Sequence, residues 1–118
     1  MADEDLTMAE PALNQGIYRQ ACFHSQQAVE KALKAFLLAR RGTYPKSHSL
    51  EQLLLVDTGN ELVDWRDRFR ILDQFYLPTR YADALPEGAL EDISPDDGRD
   101  AYSTAKDFVA ALRGMLAA

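Results

Sequence analysis

The sequence predicts an all-α fold, a four-to-five-helix up-and-down antiparallel bundle, on three observations. Residues 17–41 contain neither proline nor glycine and carry apolar residues at helical spacing. Leu62, Trp65, Phe69, Leu72 and Tyr76 recur at intervals of three, four, three and four, a single-face helical stripe. No alternating strand pattern occurs anywhere, and the connections are mostly short, which joins helices as antiparallel neighbours.

The elements follow in chain order. In residues 1–16, Leu6, Ala9 and Leu13 could line a short helix of about three turns. Pro11 interrupts it, and an interior proline costs ~3 kcal/mol, so a kink or an early stop is expected. The second helix, Ile17 to Arg41, carries two stripes: Tyr18, Ala21, Ser25, Ala28, Ala32 and Phe36, and beside them Cys22, Val29, Leu33 and Leu37. Gln20, His24, Gln27, Lys31 and Lys34 leave only a narrow polar strip. So wide an apolar surface suits a helix covered on more than one side. It sits centrally in the bundle, or at both a core and a subunit interface. Arg40 and Arg41 followed by Gly42 form a helix stop, with cations in the last turn and glycine just past it.

Thr43-Tyr44-Pro45-Lys46 reads as a loop. Ser47 or Ser49 offers an N-cap, and Ser49 with Gln52 would make a capping box. Leu50, Leu53 and Leu54 give a short helix ending near Gly59. Thr58 and Glu61 form another candidate box, opening the striped helix that Pro78 ends. Residues 79–93 read as a long loop. Ser94-Pro95-Asp96-Asp97 then supplies an N-cap serine, proline at the first helical position and carboxylates in the first turn. Ala101, Ala105, Phe108, Leu112 and Met115 face inward on the last helix, and Gly114 weakens its end.

The chain of 118 residues is read as one domain, residues 1–118. A composition of 47% hydrophobic and 27% charged residues excludes a disordered chain. No apolar run approaches the roughly 20 residues that span a bilayer, so no membrane role is expected. The acidic start, Met1-Ala2-Asp3-Glu4-Asp5, is followed by no signal-type apolar stretch, and Cys22 is the lone cysteine. Both fit a cytoplasmic location. A net charge of −6 argues against coating nucleic acid in bulk. Its distribution is uneven. Arg19, Lys31, Lys34, Arg40, Arg41 and Lys46 are opposed by Glu30 alone, whereas residues 83–100 carry seven carboxylates against Arg99. Either the stretches complement one another and decorate solvated faces, or the first forms a local site for a phosphate-bearing ligand.

Three blocks resemble the HEPN domain family: the helix running from Tyr18-Arg19-Gln20-Ala21 through Gln27-Ala28-Val29-Glu30-Lys31-Ala32-Leu33-Lys34-Ala35, the segment Lys46-Ser47-His48-Ser49-Leu50, and Leu72-Asp73-Gln74-Phe75-Tyr76-Leu77-Pro78-Thr79-Arg80-Tyr81-Ala82-Asp83. They lie in the family's order and cover most of residues 17–83. At Ala82 the family often has proline. The last helix fits by position. The resemblance implies a bundle that pairs as a homodimer, frequent association with a minimal nucleotidyltransferase in toxin–antitoxin systems, and roles in nucleotide binding, partner scaffolding or, in some branches, metal-independent RNA cleavage.

The cleaving branches use an Arg followed a few residues later by a His. The His moves a proton and the Arg holds phosphate with a planar charged fork. Arg41 and His48 are the candidate catalytic pair, with six residues between them. Two features depart from the motif: Gly42 stands where a polar residue usually follows the Arg, and a proline-containing loop separates the pair. The simpler reading of His48 is a first-turn residue packing at a helix start. Ligand-binding candidates are Arg80 for phosphate with Tyr81 stacking on a base, together with Lys46, Lys31, Lys34 and Gln27. Arg80 otherwise fixes the loop, the strip of Gln27, Lys31 and Lys34 otherwise faces water, and Glu30 with Lys34 makes an i, i+4 ion pair worth ~0.3 kcal/mol. Cys22 and His24 point to different sides of a helix, so no metal site or other cofactor is expected. Cys22 is read as a small buried apolar residue. The leading expectation is a non-catalytic binding module, dimeric, partnering a nucleotidyltransferase, with nucleotide binding as an added role. The alternatives are an RNA-cleaving toxin and a structural interaction protein without a ligand.

Overall fold

The computed structural model describes residues 2–56, 61–75 and 93–117. These contain helices α1 (Ala2–Asn14), α2 (Tyr18–Arg41), α3 (Leu50–Leu54), α4 (Arg66–Asp73) and α5 (Pro95–Ala117). A 3₁₀ turn, Val63–Trp65, leads into α4. No strand occurs among the described residues. The fold is the all-helical bundle that the periodicity predicts.

α1 runs through Pro11 instead of stopping before it. Pro11 is exposed and lies in the last turn, so its missing N–H forgoes one bond beside solvent and three further residues complete the helix. Gly16 then takes a left-handed φ of +76°. The Gly16 N–H donates to the Leu13 carbonyl at 3.2 Å and the Ile17 N–H to the Ala12 carbonyl at 2.8 Å. This paired closure of a helix end turns the chain straight into α2. Gly42 ends α2 similarly, with φ +79° and its N–H on the Leu38 carbonyl.

The wide apolar surface of α2 is covered within the chain itself. α1 and α5 pack against α2, and α3 and α4 also contact it. Fully buried Phe69 and Phe108 meet half-buried Trp65, and buried Phe36 belongs to the same core. Phe108 stands edge-on to Phe69 at 4.8 Å and to Trp65 at 5.0 Å, pairs worth ~0.5–1.5 kcal/mol each beyond their burial. Toward α1 the buried side chains are small: Ala9, Ala12, Ala21, Cys22, Ser25 and Ala28. Gly98 of α5 fits where a Cβ would stand 2.9 Å from the Tyr18 ring and 3.3 Å from Leu13.

Two boundaries and one cap differ from expectation. α3 ends at Leu54, short of the expected end near Gly59. α4 stops at Asp73, with the Gln74 and Phe75 N–H groups closing tight i→i−3 turns, so Phe75 continues the apolar stripe outside the helix. Tyr76, Pro78, Thr58 and Gly59 lie outside the described residues. The α3 box closes by relay. Ser49 Oγ accepts the Gln52 N–H at 3.3 Å, but the Gln52 side chain accepts from Ser47 Oγ, which in turn accepts the Ser49 N–H at 3.0 Å. α5 contains Gly114 and ends at Ala117. Its start is a reciprocal box in which the Asp97 N–H donates to Ser94 Oγ and the Ser94 N–H to Asp97 Oδ2, both at 3.1 Å.

Candidate functional site

The connection from α2 to α3 carries the family's second block, and three side chains fix it. Gln26, fully buried, donates from Nε2 to the His48 carbonyl at 3.1 Å, while its own Oε1 accepts from Gln27 at 2.8 Å. Glu30, only 5% exposed, faces His48 Nδ1 at 3.2 and 3.3 Å through its two carboxylate oxygens. Asp73, at the end of α4, accepts the Leu50 N–H at 2.8 Å, the Glu51 N–H at 3.1 Å and the Ser49 hydroxyl at 3.2 Å. A carboxylate on the first N–H groups of a helix satisfies donors that have no partner inside the helix. The first two family blocks and the described start of the third, residues 72–75, are thereby one physical unit: α2 supplies Gln26 and Glu30, the end of α4 supplies Asp73, and the segment 46–50 is held between them.

The expected Glu30–Lys34 pair is present at 3.2 Å, but it is not a solvated surface pair. Glu30 is buried and shared between Lys34 and His48. The Lys34 ammonium also lies 5.5 Å from the Tyr44 ring centre, so the connection is touched near both its ends. One turn back, Asp5 of α1 engages His24 Nδ1 at 3.1 Å and the Lys31 ammonium at 2.6 Å. Asp5 is 8% exposed, so this cluster ties α1 to α2 where water competes weakly. The strip of His24, Gln27, Lys31 and Lys34 thus faces intramolecular partners.

The remaining candidates separate. Arg41 is exposed in the last turn of α2 and, among the described residues, enters no hydrogen bond or ion pair, with His48 or otherwise. Its neighbour Arg40 reaches Glu61 at 3.3 Å and lies over Phe36. Lys46 is exposed and likewise enters neither kind of contact among the described residues. The His48 side chain is 60% exposed. Arg80 and Tyr81 lie outside the described residues, as do the carboxylates Asp83, Glu87, Glu91 and Asp92. Cys22 is fully buried, and burial together with the nearby Asp97 carboxylate pushes its thiol up to about 12. That leaves almost no thiolate near neutrality, so it cannot serve as a nucleophile. No group of three or more His, Cys, Asp and Glu side chains gathers for a metal among the described residues. No described helix is long and apolar enough to cross a membrane.

Sequence reasoning missed the anchoring roles of Asp5, Glu30 and Asp73. Glu30 gave one usable sign, as the lone carboxylate in a basic stretch. Asp73 sits within a family block, but its target is 23 residues away and no local pattern reveals it.

A model of the HEPN domain matches residues 1–115 of this chain. The crystal structure of TT1696 from Thermus thermophilus superposes with a TM-score of 0.79 at 35% identity, over 96% of this chain and 91% of that one. ST0689, described as an archaeal HEPN homologue, superposes with a TM-score of 0.75 at 34% identity, over 97% and 90%. A protein of Methanocaldococcus jannaschii named "Putative toxin MJ1304" is 24% identical, over 98% of this chain and 83% of that protein. The helical bundle, the family-model match and these likenesses agree: the chain belongs to the HEPN domain family.

Proposed function

We propose that residues 1–118 form one cytoplasmic HEPN module that binds a partner and does not itself cleave RNA. In this reading it is a homodimer that docks a minimal nucleotidyltransferase and offers that partner, or a nucleotide, a preformed surface in a toxin–antitoxin setting. The observation that carries the reading is how the charged candidates are engaged. Lys31 faces Asp5, Lys34 and His48 share Glu30, and Arg41 makes no hydrogen bond or ion pair with His48 among the described residues. A cleaving site needs its Arg and His to converge on one phosphate. Here the His48 Nδ1 and carbonyl serve to pin the α2–α3 connection. Exposed Leu38 (53%), Leu55 (74%) and Val63 (55%) leave apolar area for contacts with a second copy or a partner.

Light scattering on the purified protein tests the first half: a mass of twice 13.3 kDa is expected, and a monomer at high concentration contradicts pairing. Co-expression with a nucleotidyltransferase encoded beside the gene tests the second, through co-purification in fixed proportion.

The alternative is an RNA-cleaving toxin. It is favoured by the name of the Methanocaldococcus relative and by the exposed His48 ring, whose tautomer a buried Glu30 would set. It predicts growth arrest on expression that His48→Ala removes.

A further inference from the structure

Between α4 and α5 a cleft of about 250 Å³ opens on the surface. Its floor is apolar. Leu72 and Ala101 are buried there, Phe75 is half-buried, and Ile71 is 56% exposed. Asp97 and Asp100 of α5 line its rim. Arg68 also lines it, but this cation is already engaged. Its Nη2 lies 3.1 Å from Asp107 Oδ2, its Nε donates to Thr104 at 3.1 Å, and its guanidinium covers Trp65 at 4.9 Å. Asp97 has one oxygen on the Ser94 N–H. Asp100 is exposed and, among the described residues, enters no hydrogen bond or ion pair. Among the described residues that line the cleft, the charge left without a cationic partner is that of Asp97 and Asp100, beside an apolar floor.

The volume lies just below the roughly 300 Å³ at which small-molecule pockets begin, so the cleft suits side chains of a protein partner better than a ligand of drug size. A cation facing Asp97 and Asp100 would complement the remaining negative charge and fix orientation, while apolar contact with the floor would supply affinity. We propose that this cleft receives a basic amphipathic segment of a partner protein, seating an aliphatic side chain on Ile71, Leu72 and Phe75 and a Lys or Arg against Asp97 and Asp100. The inference rests on the partner-binding reading and gives it a surface.

The test uses the full chain and a synthetic amphipathic helix of leucine and lysine, with a leucine–glutamate helix as control. Amide shifts in ¹H–¹⁵N spectra should cluster at Ile71, Phe75, Asp100 and Ser103 for the basic peptide only. Affinity should fall about tenfold in each of Asp100→Lys and Ile71→Ser, a typical cost for a rim charge or an apolar anchor, and should weaken with salt. Asp100→Asn serves as a milder charge variant should Asp100→Lys unfold. Shifts mapping elsewhere, equal binding of the acidic peptide, or unchanged affinity in these variants overturns the proposal. So does loss of the homodimer in Ile71→Ser, which would make a second copy the occupant. A nucleotidyltransferase that co-purifies equally with wild type and Ile71→Ser overturns the cleft while leaving the binding-module reading standing. Peptide binding without any co-purifying nucleotidyltransferase does the reverse.

Discussion

At Glu30, spacing along the helix accounts for one partner and the fold supplies another. Lys34 is one turn away and was legible, whereas His48 comes from a connection 18 residues on. A buried carboxylate with two partners loses more on neutralisation than an exposed one. Glu30→Gln is expected to lower stability by about 1–2 kcal/mol in urea unfolding. His48→Ala should cost less than about 1 kcal/mol because its ring is mostly exposed. The double variant should fall short of the sum, since both changes remove one bond; strict additivity would show that Glu30 and His48 do not interact. Cys22 was legible in full, because its place on an apolar helical stripe implies burial. Its thiol, raised from 9.0 to about 12, has a further consequence. The unfolded chain ionises near pH 9 and the folded one does not. The thiol therefore ionises more readily in the unfolded chain, and stability falls as pH climbs from 9 toward 12. Native protein should resist iodoacetamide at pH 8 and react once unfolded in urea. Rapid labelling of the native state would contradict the burial.

At the scale of the elements, helix starts and stops were legible wherever capping is local. Ser49, Gly42 and Ser94-Pro95 all act as the sequence implies. The early end of α4 was not, because Asp73 is drawn into capping a different helix. Gly98 and Gly114 make a paired test of packing against propensity on α5. A Cβ at Gly98 meets the Tyr18 ring at 2.9 Å, whereas one at Gly114 meets nothing within 4 Å. Gly98→Ala should destabilise by about 1–3 kcal/mol, the usual cost of overpacking. Gly114→Ala should stabilise by about 0.5–1 kcal/mol, because alanine is the better helix former. Melting curves of the two variants should shift in opposite directions. A shift in the same direction would mean that α5 does not press on the α1–α2 hairpin as described.

For the whole molecule, the pattern around α2 foretold a central helix but not what covers it. Burial by α1, α5 and the α3–α4 arm accounts for its two stripes without a second chain, so the proposed pairing has to draw on other surfaces. Charge was the less legible property. A run of cations reads as a phosphate site until the carboxylates of Asp5 and Glu30 are placed beside it, and these come from a neighbouring helix and from the interior. The molecule is thus a HEPN domain in which Arg41 and His48 share no hydrogen bond or ion pair among the described residues. The most direct measurement is incubation of purified wild-type and His48→Ala protein with a mixed-sequence RNA without metal. The binding-module reading predicts intact RNA in both. Cleavage by the wild type that disappears in His48→Ala would contradict it.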